Sequence, residues 1–201
     1  MKELFDDFYA NTLWYLDELD KNTALEINDN FYELTSLYNN DEKIGVLKTL
    51  AVNATLEYIK QKGWDMLDRK ILISILSNYY DDLYDTYKAK NKAYGDSFTI
   101  SLNKFGIQAS YTRISDKINR FNSLMENEDI FQGDESIADT LSDLINYCVM
   151  TVKWLENQEG RSVEEYAVYR NDNLVIRGSL SDCAEYLIVQ KAVRRMNNES
   201  K

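Results

Sequence analysis

The sequence contains no proline, no histidine, only seven glycines and two cysteines, and it is short of positive charge. The missing histidine removes Ser-His and Cys-His nucleophilic pairs and the common zinc sites. What remains for hydrolytic chemistry is a carboxylate cluster holding a hard cation, with Lys or Arg to meet phosphate charge. The missing proline, the few glycines and the long periodic apolar segments favour an all-α class over a sandwich or barrel. Cys148 and Cys183 sit in helical apolar patterns, so they read as reduced core residues of a cytoplasmic protein and imply no disulfide framework. The opening MKELFDDFYANTLW mixes acidic with apolar residues and has no continuous apolar run. It is expected to be neither signal peptide nor membrane span, and no membrane partner is expected. With 23 Lys and Arg against 34 Asp and Glu, the formal charge is -11. That balance argues against a general affinity for polyanions, so any anionic ligand must be met locally by a metal or a basic cluster.

What is present is helical periodicity. At 201 residues the chain suits one domain, or one domain plus a small appendage. Helical spacing of apolar residues runs over 3–19 and 23–38, punctuated by Asn22 and the Asn39-Asn40-Asp41 turn, and then over 41–62 until Gly63 stops it. A long helix follows from Asp65 to Lys92. Gly95 breaks it, and Asp96 or Ser97 opens a short helix through Lys104. Another helix starts after Gly106, and the loop ENEDIFQGD joins it to DESIADTLSDLINY as a helical hairpin. Beyond Gly160 the pattern alternates like two strands around Asn171-Asp172-Asn173 and then opens a helix capped by Ser179, a ββα appendage. The expected organisation is an N-terminal helical region over 1–63 of unassigned role, a helical domain over 64–158, and a small module over 163–198.

In DESIADTLSDLINY, at roughly 100° per residue, Glu135, Asp139, Asp143 and Asn146 fall within about 80° of arc. Ile137, Leu141, Leu144, Ile145 and Cys148 cover the opposite side. Like charges at i,i+4 destabilise a helix by roughly 0.2–0.5 kcal/mol per pair, and no basic residue within the segment offsets them. Compensation is therefore expected from outside this helix. If the preceding helix runs antiparallel about a bend near Ile130, Asp116 falls level with Asp143 and Arg120 level with Asp139. The resulting group, with Arg113 and Lys117, is either a salt-bridge lattice or a pocket for a divalent ion and a phosphate chain. The KNKAYGDS junction also has two readings. It is an ordinary helix stop with lysines near a C-terminal dipole, or a phosphate site in which Lys90 and Lys92 flank a new helix N-terminus and Tyr94 stacks on a base. The many tyrosines, Tyr79, Tyr80, Tyr84 and Tyr87 among them, are assigned to core edges.

Taken in order, KNKAYGDSF, RISDKINRF and DESIADTLSDLINYCVM resemble the phage and bacterial family called nucleotide modification associated domain, type one, over roughly residues 68–155. That family is similar in layout to the all-α nucleoside triphosphate pyrophosphohydrolases of the MazG and dimeric dUTPase kind, in which an ExxE helix and an ExxD helix hold magnesium. The resemblance implies a helical bundle that binds and hydrolyses (deoxy)nucleoside triphosphates or related nucleotides with Mg²⁺, in phage nucleotide metabolism or DNA modification. It implies Asp143 as the leading metal ligand with Asp139, Glu135 and Asp116 behind it, and Glu135 or Asp139 polarising the attacking water. Lys117, Arg120 and Lys92 become phosphate contacts, with Tyr94 and Asn146 at the ligand. The sequence departs from the family pattern in two places. Asp139 and Asp143 are spaced by four rather than three, and the first motif is replaced by Asp116-Lys-Ile-Asn-Arg120.

A second reading belongs to another class: a noncatalytic phage adaptor or anti-defence protein that binds a host protein or a nucleotide signal. The aromatic load of residues 1–63 suits a packing or homo-oligomer surface. A third reading is a DNA-binding regulator, because the tail resembles a phage ββα, helix-turn-helix-like module. Lys191, Arg194 and Arg195 there form the densest basic group, and nucleic-acid contact is expected only through it.

Overall fold

A computed structural model of the protein describes residues 1–19, 21–126, 136–159, 166–170 and 173–178. Seven α-helices fill the described part of the first 159 residues: α1 (Lys2–Trp14), α2 (Thr23–Ser36), α3 (Asn40–Gln61), α4 (Arg69–Tyr94), α5 (Ser97–Phe105), α6 (Gln108–Glu126) and α7 (Ile137–Glu159). The all-α class is borne out. Two strands follow, β1 (Tyr166–Arg170) and β2 (Asn173–Gly178), paired antiparallel with Tyr166 opposite Gly178 and an irregularity after Val168. The helix expected after Ser179, with Cys183 and the basic group at Lys191, Arg194 and Arg195, lies outside the described residues. Among the described residues, no helix is long and apolar enough to cross a membrane.

Local signals set most of the helix ends. The Asn22, Asn39 and Asp68 side chains accept hydrogen bonds from the backbone N–H of Leu25, Asp41 and Lys70, which satisfies donors that an α-helix start leaves orphaned. Gly95 ends α4 at φ 62°, a left-handed conformation that costs glycine little. Two boundaries differ from the periodic reading. The first helix stops at Trp14 and passes into a 3₁₀ turn at Leu16–Glu18, and Trp64–Met66 form another 3₁₀ turn before α4 starts. In both places the apolar spacing continues while the hydrogen-bond pattern tightens.

The core is built around α3 and α7, the most extensively packed helix pair. Leu47, Leu50, Ala51 and Ala54 of α3, Leu141, Leu144, Ile145 and Cys148 of α7, and Phe5, Phe8 and Leu13 of α1 are all fully buried. Because one apolar cluster runs from Leu4 to Leu155, the boundary expected at 63/64 separates no two cores. Tyr80 enters this core with its hydroxyl 2.8 Å from that of Thr12 and 3.0 Å from that of Thr55, so its polar end is satisfied where water is excluded. The pairs Ser110–Thr151 (2.6 Å) and Lys117–Asp143 (2.8 Å) fix α6 antiparallel to α7.

Candidate functional site

Helix α7 presents two different sides. Its apolar side is sealed against α3, while its polar side faces α4, which it touches far less, and a cleft opens between them. The cleft is bridged at two levels. The Tyr79 hydroxyl of α4 lies 3.0 Å from Ser142 Oγ of α7, and Lys90 Nζ of α4 donates to Asp143 Oδ1 at 2.7 Å. Lys117 Nζ reaches Asp143 Oδ2 from α6 at 2.8 Å. Asp143 is therefore relieved from outside its own helix, by one lysine on each flanking helix. Burial pushes the Asp143 carboxyl up, but hydrogen bonds from Lys117 and Lys90 and their charges outweigh it and hold Asp143 below the usual carboxylate range.

Two cavities lie along this cleft and share Lys90, Asp143 and Asn146. One, of about 420 Å³, is walled by Tyr58 and Tyr79 and carries Asp82, Asp139 and Ser142. The rings of Tyr58 and Tyr79 stack at 4.2 Å between centroids. The other, of about 230 Å³, is walled by Tyr87, Tyr94, Phe98 and Tyr147 and includes Asn91 and Ser97, the first residue of α5. Asp96 precedes that helix at φ 53°, and its side chain does not cap it. The first residue of α5 and Lys90, paired with Asp143, thus line the same small cavity, and a helix start beside an ammonium group favours an anion.

The expected residues sort unevenly around this geometry. Asp143, Asp139, Asn146 and Tyr94 line the cleft, and Lys117 joins it through Asp143. Lys90 is the lysine of the KNKAYGDS junction that lines it; Lys92, two residues further round α4, is exposed elsewhere. Asp116 is exposed and Arg120 half-buried on α6, and neither lines either cavity. The antiparallel register differs from the expected one by one residue at the Lys117–Asp143 pair and by two at the Ser110–Thr151 pair, and each residue on a helix is a turn of about 100°. Lys117 therefore occupies the place expected for Asp116. Glu135 lies outside the described residues. Tyr79 and Tyr87 pack at core edges as assigned and also wall the cleft, while Tyr80 is fully buried and not at an edge. Sequence reasoning missed Tyr58, Asp82, Phe98, Ser142 and Tyr147. For Tyr79, Asp82, Leu83, Thr86 and Lys90 the signal was available, because their three- and four-residue spacing marks one face of α4.

A magnesium ion needs oxygen ligands that are open to it. Both oxygens of Asp143 are taken by ammonium groups. Asp139 Oδ2 accepts from the backbone N–H and the hydroxyl of Ser136 at 3.2 and 2.8 Å, and Asp139 N–H donates back to Ser136 Oγ, which is the capping box that starts α7. Among the described residues no group of three or more Asp, Glu or Cys side chains is placed to hold a metal. The described side chains do not, in this arrangement, fit a magnesium site.

Fold and cleft together define an all-α bundle with an aromatic, lysine-flanked pocket along one side of its central helix. Residues 90–155 match the family described as Nucleotide modification associated domain 1. The matched segment is about a third of the chain and narrower than the 68–155 suggested by the motifs. It starts at Lys90 and takes in the end of α4 with α5, α6 and most of α7. No curated protein and no solved structure matches the chain.

Proposed function

We propose that this protein binds a nucleoside phosphate in the cleft between α4, α5 and α7. The observation that carries the reading is the meeting of three features in one small cavity: an uncapped helix N-terminus, the Lys90 ammonium, and four aromatic side chains. The first two suit a phosphate and the last a planar base. The family matched by residues 90–155 supports a nucleotide as the ligand.

Mg²⁺-dependent hydrolysis of (deoxy)nucleoside triphosphates in a MazG-like layout, in phage nucleotide metabolism or DNA modification, is the stronger form of this proposal. It asks Asp116, Glu135, Asp139 and Asp143 to act as metal ligands and Glu135 or Asp139 to act on water, and no step is derived through them given the misfit above. The noncatalytic reading, an adaptor or anti-defence protein holding a nucleotide signal, is favoured by one observation: Asp143 is already neutralised by Lys90 and Lys117. A homo-oligomer, a host-protein partner and a C-terminal ββα module belong to the same proposal.

A thermal-shift panel of nucleotides, run with Mg²⁺ and with a chelator, tests both forms. Nucleotide binding is expected to raise Tm in either condition, following the linkage RT ln(1 + [L]/Kd). Absence of any nucleotide-dependent shift removes the binding proposal. Pyrophosphate release that requires Mg²⁺ and is lost in Asp143→Asn would establish the hydrolase form over the noncatalytic one.

A further inference from the structure

Asn146 sits where the two cavities meet, is only 5% exposed, and its Oδ1 has no hydrogen-bond partner among the described residues. Buried side-chain amides are nearly always satisfied, because an unmade hydrogen bond forfeits solvation with no return. The residue lies on the polar stripe of α7 with Asp143, yet it makes none of the lysine contacts that Asp143 makes. Its surroundings on the α5 side are aromatic: Tyr94 and Phe98 come from the α4–α5 junction, and Tyr147 from the next position on α7. The Phe98 and Tyr147 rings lie 5.1 Å apart, tilted by 53°.

We infer that Asn146 is the base-reading residue of the cleft: the 230 Å³ aromatic cavity takes a nucleobase, whose edge hydrogen-bonds the Asn146 amide while its face lies against the aromatic walls. This inference rests on the nucleotide reading above and deepens it. Whichever way the amide is turned, it offers an acceptor beside a donor pair. The complementary group is therefore a ring edge carrying an N–H next to a ring nitrogen or carbonyl, as every nucleobase does. A sugar phosphate without a base, or a flat heterocycle without that edge, leaves the amide oxygen as orphaned as it is now. Lys90 and the start of α5 line the same cavity, so the phosphate of a monophosphate can be met while the base is read. Asn146 also borders the larger cavity, which leaves room for a sugar or a longer chain beyond it.

Calorimetric titration of the full chain tests this with defined probes: the four 2′-deoxynucleoside 5′-monophosphates, 2-deoxyribose 5-phosphate, and benzimidazole riboside 5′-phosphate. In the unmodified protein at least one natural nucleotide is expected to bind about tenfold or more tightly than either edge-less probe, since a site built to hydrogen-bond a group rejects analogues lacking it. Asn146→Ala is expected to erase that preference and leave 2-deoxyribose 5-phosphate binding unchanged. If edge-bearing and edge-less probes bind the unmodified protein equally, the amide reads no base, and this inference falls while a phosphate site stands. If Asn146→Ala weakens every probe alike, its role is structural and the inference falls as well. If no probe binds at all, the nucleotide reading itself fails. The comparison among probes on the unmodified protein decides the matter even if the variant does not fold.

Discussion

The two sides of α7 are made from the same stretch of sequence and do opposite things. On the α3 side, Leu141, Leu144, Ile145 and Cys148 are sealed from solvent, and burial pushes the Cys148 thiol upward, so it is inert as a nucleophile. On the α4 side, Asp143 is held by two lysines while Asn146 Oδ1 has no hydrogen-bond partner among the described residues, and the helices stand apart enough to leave two cavities. The packed side specifies where the helix sits. The open side keeps polar groups that a pure packing solution would have replaced, since a buried ion pair is often no more stabilising than well-packed apolar residues. Stability alone does not account for the open side.

The most severe way to break this contrast is on the packed side. Leu144→Ala removes a fully buried side chain from the α3–α7 interface and is expected to cost about 2–5 kcal/mol, read as a fall in denaturation midpoint that is insensitive to salt. On the open side, Asp143→Asn weakens both lysine contacts. It is expected to cost about 1–2 kcal/mol after discounting for the exposure of Lys90, and this cost should shrink in high salt. The pH dependence separates the two further. Because the folded state holds the Asp143 proton less tightly than the unfolded chain does, its contribution is present above the ordinary carboxylate range and is lost as pH falls through the lowered folded value. Unmodified protein and Asp143→Asn should therefore converge in acid, and Leu144→Ala should stay apart. Equal losses with equal salt and pH responses would erase the distinction between the two sides.

How much of this was legible in the sequence also divides along the same line. The packed side was readable, because apolar periodicity and cap residues are local signals: Asn22, Asn39, Gly95 and the split faces of DESIADTLSDLINY lie where spacing places them. The hairpin of α6 and α7 was readable too, but only to within one or two residues. That margin is harmless for a core stripe several residues wide and decisive for a single contact. It exchanged Asp116 for Lys117 opposite Asp143, which gives an ion pair there, the first of the two readings that the sequence left open. Lys90 rather than Lys92 follows from the phase of α4, since Leu83 and Lys90 are seven residues apart on one face, while Lys92 is about 200° further round. Tyr58 and Phe98 had no such signal. Their place in the cleft comes from how α3 and α5 pack, which no local pattern encodes.

Smaller effects sharpen the comparison at the ends of α7. Ser136→Ala removes the hydroxyl that exchanges hydrogen bonds with Asp139. It is expected to cost about 1 kcal/mol and to leave Asp139 less firmly placed beside the larger cavity. At the packed side's far end stands a carboxylate with the opposite behaviour from Asp143. Burial raises Asp7 of α1 to about 6, Lys48 pulls it down, and Glu156 of α7 pushes it up, with Asp6 and Glu3 adding to the push. The sign of its pH dependence is correspondingly reversed. A folded pKa above the unfolded one adds stability below the ordinary carboxylate range and loses it as pH rises through about 6. At pH 7.5 Asp7 is therefore a liability to the fold. Asp7→Asn should raise stability there by about 1 kcal/mol or less, allowing for its partial exposure, and the gain should vanish near pH 4. Urea midpoints of the two proteins at pH 4 and 7.5 check it. A gain that persists at pH 4 would mean that the cost of ionising Asp7, set first by burial and then by the charge of Glu156, is not what the substitution removes, and that the two ends of α7 do not differ in the way that their partners imply.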